Sequence, residues 1–165
     1  MSYFLCYNYR GFKSNECSKN QKKEMVMNYE LIMLRSANRI KYCDKSLSLE
    51  IKQIALTSYA VLNYKDGTMG QIRLMSERAQ LRDKCRLFWQ SLVEALKIMP
   101  KPYCALLVTV YFKKSDIPSL CARFKKSKST LYRKLWEART HLKNALTSLG
   151  YDEKWFKDNF SDMDL

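Results

Sequence analysis

A helical rhythm of apolar positions begins near Asn28. Leu31, Leu34, Ile40 and Cys43 recur at steps of roughly three and four residues, the period of an amphipathic helix. Ser46 or Ser48, followed by Glu50, has the chemistry of an N-cap for a second helix, whose apolar face would hold Ile51, Ile54, Ala55, Tyr59 and Leu62. Asp66-Gly67 is the clearest break in this half. After Gly70 a long helix is predicted to run toward Met99, with Ile72, Met75, Ala79, Phe88, Leu92 and Leu96 as its stripe, interrupted at Arg82. Arg73, Arg78, Lys84 and Arg86 lie off that stripe or at its edge. Met99-Pro100-Lys101-Pro102 ends the helix, because a proline disfavours the α conformation of the residue before it.

The remaining segments divide around this middle. Residues 1–27 mix aromatics with Asn, Ser and Lys without a sustained period, and read as a loosely ordered arm. Residues 103–112, with β-branched and aromatic content, suit either a buried strand or a short buried helix; the helical neighbours favour the helix. Trp155, Phe156 and Phe160 are expected to cover the end of the core. The organisation expected is an all-α chain: an arm (1–27), a helical platform (28–99), a helix-turn-helix unit (100–150), and an acidic tail with a short helix (151–165).

The helix-turn-helix expectation rests on Asp116 to Leu146. The first helix of such a unit needs an apolar residue and then a small one, so that the second helix can cross closely. Leu120 and Cys121 supply them, with Ala122 and Phe124 close behind. Ser127 can cap the second helix by accepting one of its orphan N–H groups. Leu131, Leu135, Ala138 and Leu142 repeat at four-, three- and four-residue steps and would hold that helix on the core. Pro118 fits only in the opening turn of the first helix.

Composition sharpens the picture. Glycine numbers four and proline three in 165 residues, too few for a turn-rich β protein. Thirty Lys and Arg against sixteen Asp and Glu leave a formal charge of +14, which attracts polyanions, either nucleic acid or an anionic membrane surface. Six cysteines (Cys6, Cys17, Cys43, Cys85, Cys104 and Cys121) contain no C-x-x-C pair, and His141 is the single histidine. A zinc site is therefore not expected, nor any other cofactor, and the cysteines read as reduced core residues. No run approaches the roughly 18 to 20 apolar residues of a membrane span, and Met1–Cys6 is too short for a signal-peptide core. A cytoplasmic protein without a membrane partner is expected.

The charge is uneven. Between Lys113 and Lys143 ten Lys or Arg accompany two acids, Asp116 and Glu137, a net of +8. After Gly150 five acids face two lysines. A basic unit with an acidic tail suits phosphate contacts made from one face. The second helix would present Lys128, Ser129, Tyr132 and Arg133 to base edges, followed by Trp136 or Arg139. Lys113, Lys114, Lys125, Lys126, Thr130, Lys134 and Arg139 would contact phosphates and position the protein.

These residues carry a resemblance. Ala95-Leu96-Lys97-Ile98-Met99-Pro100 resembles the A-L-x-x-L-P of sigma factor region four, and Leu106, Leu107 and Tyr111-Phe112 fall at that family's first buried helix. Ser127-Lys128-Ser129-Thr130-Leu131-Tyr132-Arg133 is similar to its S-x-S-T-V-x-R, and Ala138-Arg139 with Leu142 to its A-R-x-x-L. The likeness covers about residues 88–147 and extends to sigma-like phage regulators. Two positions depart from it: Lys125 stands at the turn usually held by glycine, and Lys126 at the apolar position after it. Lys125 is thus expected to take a left-handed conformation at a cost of about 1 kcal/mol.

The resemblance implies a DNA-binding transcription regulator acting with RNA polymerase at promoters, with double-stranded DNA and polymerase as partners. No counterpart of the promoter-melting part of sigma factors is recognisable in the N-terminal half, which would serve self-association, giving a homo-oligomer, or polymerase contact. The nearest functional analogues are late-gene activators and antitermination factors of phage type. The alternatives are a regulator docking on polymerase without reading DNA sequence, and a recombination enzyme or its accessory. Catalysis is not expected, because the acids are scattered and His141 has no evident partner.

Overall fold

The computed structural model describes residues 28–57 and 67–163, and every regular element among them is helical. The N-terminal arm, and the positions Tyr59, Leu62 and Asp66, lie outside the described residues.

Helix α1 runs from Tyr29 to Leu56 without interruption. The expected start of a second helix at Ser46 or Ser48 is not realised. The Ser48 hydroxyl donates backward to the Asp44 carbonyl at 2.8 Å, and the Ser46 hydroxyl reaches Glu50 at 3.4 Å, so neither caps an N-terminus. No glycine or proline stands between Tyr29 and Leu56 to force a break. Met33, Ile40, Leu47 and Ile54, all buried, are spaced by seven residues and so stay on one stripe across the supposed boundary. Leu31 and Ile51 are half-buried and Ala55 is exposed, off that stripe.

Helix α2, Gly67–Ile98, begins at Gly67 (φ 58°) rather than after Gly70, and returns antiparallel along α1. Ion pairs from Arg78 to Glu50 (3.5 Å) and Arg86 to Asp44 (2.8 Å) record the antiparallel register, and the Gln71 amide donates to the carbonyls of Ile54 and Thr57 at the far end. These exposed pairs fix alignment more than they stabilise. Burial concentrates in the C-terminal half of α2, at Cys85, Phe88, Ser91, Leu92 and Ala95. The expected stripe is corrected toward its start, where Ile72 is exposed and Met75 and Ala79 are half-buried.

Pro100 stands at the N-cap of helix α3, Lys101–Leu107, with an extended backbone, and Pro102 lies in its first turn. The prolines therefore end one helix and open the next. Residues Val108–Phe112 continue α3 as a single π-helical turn, closed by the Lys113 N–H donating to the Val108 carbonyl at 3.0 Å. The helix ends at Phe112, so its last carbonyls lack helical partners. Asn38 of α1 supplies one: its side-chain amide donates to the carbonyls of Tyr111 and Phe112, both at 3.3 Å. The segment that read as either strand or helix is thus helical.

Helices α4 (Ile117–Phe124), α5 (Lys128–Ser148) and α6 (Glu153–Phe160) complete the fold. Buried side chains from all six helices form one connected core. Phe156 and Phe160 close its end, with ring centroids 6.3 and 5.3 Å from Phe88, and Phe156 lies 5.9 Å from Tyr29. Each ring of this kind contributes about 1.5–3 kcal/mol when fully buried. Among the described residues no helix is long and apolar enough to cross a membrane.

Candidate nucleic-acid interface

The site is built on the α4–α5 pair. Asp116 opens α4: its carboxylate accepts the Ser119 N–H at 3.0 Å, and hydrogen bonding from the Ser119 side chain first and then from this N–H holds the carboxyl below its ordinary range. Pro118 occupies the first turn, where its missing N–H costs nothing. Leu120 is buried and Cys121 half-buried, but Ala122 and Phe124 face solvent and do not join the crossing.

Three residues join the helices. Lys125 is left-handed (φ 49°, ψ 44°), and the Lys126 N–H donates back to the Cys121 carbonyl at 3.2 Å, the closure by which helices commonly end on glycine. Ser127 is extended, and its hydroxyl oxygen accepts the Thr130 N–H at 3.2 Å. The Thr130 hydroxyl lies 2.9 Å from that of Ser127 and is occupied in the cap. From there α5 buries Leu131, Leu135, Ala138 and Leu142, the four positions expected, and adds Ala145 and Leu146.

The opposite face of α5 is open. Lys128, Ser129, Tyr132, Arg133 and Trp136 are all exposed, and three- and four-residue steps place them on one side of the helix. Of Trp136 and Arg139, it is Trp136 that joins Tyr132 on the outward face. Arg139 is half-buried at the edge, with its Nε donating to the Leu135 carbonyl at 3.4 Å. Lys134 is exposed beside the strip, and Lys125 and Lys126 are exposed in the turn leading to it. Arg133 approaches Glu137 only at 4.0 Å and leaves most of its side chain in solvent. Its guanidinium is available to another acceptor.

Other residues fall elsewhere. Lys113 and Lys114 are exposed and precede α4, and Lys114 is left-handed (φ 52°). Lys113 helps line an open groove of about 420 Å³ with Lys97, Lys101, Leu96, Cys104 and Val108. Sequence reasoning missed this groove, because its lysines are contributed by three separate segments. His141 does have a partner: its ring stacks on Tyr103 at 4.4 Å, while the Tyr103 hydroxyl donates to Glu137 at 3.4 Å. Cys43, Cys85, Cys104 and Cys121 carry free thiols. Among the described residues no three His, Cys, Asp or Glu side chains gather where a metal ion could sit.

No protein-family model, no curated protein and no solved structure matches this chain.

Proposed function

We propose that the protein is a cytoplasmic, DNA-binding transcription regulator, in which α4 and α5 form a helix-turn-helix like that of sigma factor region four. It works with RNA polymerase at promoters. The observation that carries this reading is the outward strip of α5. Lys128, Ser129, Tyr132 and Arg133 stand at the capped N-terminal end of a helix whose other face is locked into the core. An N-terminal helix end aimed at a groove also favours the negative potential of DNA. Arg133 can pair with guanine O6 and N7, Lys128 can reach the same acceptors, and Ser129 can bond either base edge. Lys125, Lys126 and Lys134 flank the strip and meet phosphates.

Arg133→Ala tests the reading. Titration of the purified protein against duplexes enriched from a random pool should show a loss of about 1–3 kcal/mol for this variant, with relaxed preference at one base pair. A uniform affinity across sequences, unchanged by the substitution, contradicts it. The rival reading, a module that docks on polymerase without reading bases, draws on the exposed Phe124 at the end of α4. It expects polymerase binding that survives Arg133→Ala and is lost in Phe124→Ser.

A further inference from the structure

The strip on α5 is not uniformly polar. Tyr132 is 49% exposed and Trp136 63% exposed, among the large side chains with most to gain by leaving water. They stand four residues apart, one above the other on the helix surface. Among the described residues neither ring packs against another aromatic ring, although eight aromatic pairs form elsewhere in the fold. The molecule has aromatic partners to offer and leaves these two facing out.

The surroundings say what fits them. Lys128, Arg133, Lys134 and the turn lysines frame the two rings with positive charge, so an occupant must bring anionic groups at its edges and something apolar at its centre. A duplex major groove has that layout. Phosphates run along both rims, and the one apolar group on its floor is the C5 methyl of thymine. With a rise of ~1.5 Å per residue, Tyr132 and Trp136 are ~6 Å apart along the helix axis, close to two base-pair steps of ~3.4 Å.

We propose that Tyr132 and Trp136 form an apolar reading strip for thymine methyl groups in the major groove. Preferred sites then carry two thymines about two steps apart beneath α5, next to the base read by Arg133. This rests on the DNA-binding reading and adds a chemical specificity to it. The tyrosine hydroxyl is free to bond the thymine O4 beside the methyl, and Trp136 supplies the larger contact area.

Deoxyuridine tests the idea, because replacing dT by dU removes the methyl and nothing else. The full-length protein is used to enrich duplexes from a random pool, and the preferred site is resynthesised with dU at each thymine in turn. Affinity is read by fluorescence anisotropy at fixed salt. Two dU positions should weaken wild-type binding by about fourfold each, the factor for burying one methyl-sized group. Trp136→Ala and Tyr132→Ala should each bind more weakly and lose sensitivity at one of them. Both side chains are exposed, and circular dichroism checks that the variants remain folded.

Two outcomes overturn the proposal. If wild type discriminates against base changes yet binds dU and dT sites alike, the methyl strip is wrong while DNA reading stands. If no duplex is enriched at all, both fall. Loss of polymerase binding in Trp136→Ala would then assign the strip to a protein surface.

Discussion

Lys125 holds a left-handed backbone in a turn where a Cβ is a steric burden. The conformation is imposed by the helices on either side, which must change direction within three residues. Lys125→Gly removes the Cβ conflict and should stabilise the fold by about 1 kcal/mol, seen as a higher midpoint in urea unfolding. The same change deletes a cation from the proposed phosphate contacts and should weaken DNA binding, so stability and affinity move in opposite directions. Cys85 shows a different residue-scale effect. Burial, aided by Cys43 and Asp44, pushes its thiol up to about 11 from an ordinary 9.0. A raised folded value means the unfolded chain ionises first. The contribution of Cys85 to stability is therefore whole below pH 9 and is lost as pH rises toward about 11. Wild type should lose more stability than Cys85→Ala across that window. Iodoacetamide at pH 9 should label this thiol only after denaturation.

At the scale of elements, the continuity of α1 and the π turn after α3 are the two features that shape the platform. The heptad-like spacing of Met33, Ile40, Leu47 and Ile54 keeps α1 on α2 through the region where serines suggested a fresh start. Leu49 is exposed, so its replacement tests the backbone rather than the core. If a helix began after Ser48, proline at 49 would sit in a tolerated first position. In one continuous helix Leu49→Pro should cost about 3 kcal/mol, measured by thermal unfolding. The π turn at Val108–Phe112 places the basic Lys113-Lys114 segment, and Asn38 ties it to α1 through two carbonyls. The platform is thus tied to the segment that leads into α4 by a polar anchor as well as by a core.

The whole molecule carries its charge asymmetrically, with a net of +8 between Lys113 and Lys143 and more acids than bases after Gly150. Part of the acidic tail is spent within the fold, where Asp162 pairs with Lys84 and Glu153 with Lys157. The cations around the outward face of α5 have few such partners. If Lys125, Lys126 and Lys134 displace counterions from phosphates, each contributes about 0.9 to the salt slope. A plot of log affinity against log salt should then have a slope near about −3. A flat plot would mean that the charge serves solubility and not DNA.

Much of this arrangement was legible in the residues themselves. The buried set of α5 and the Ser127 cap are local consequences of spacing and side-chain chemistry, whereas the left-handed turn at Lys125 was expected only through the resemblance to a position held by glycine. The prolines at 100 and 102 mark a helix boundary for the same reason. What lay beyond the sequence was non-local. Ser46 and Ser48 carry capping chemistry, but burial of a stripe repeating every seven residues against α2 outweighed it. Ile72 and Phe124 are apolar yet exposed, because no other element among the described residues covers them. The partner of His141 and the amide that meets the carbonyls of Tyr111 and Phe112 each require segments far apart in the chain, and the lysine-lined groove needs the bend between α2 and α3. Local propensity and period determined which segments are helical and which face of α5 is apolar. Only tertiary packing, where each side chain competes for a finite buried surface, decided which caps are used and which aromatics remain open to a partner.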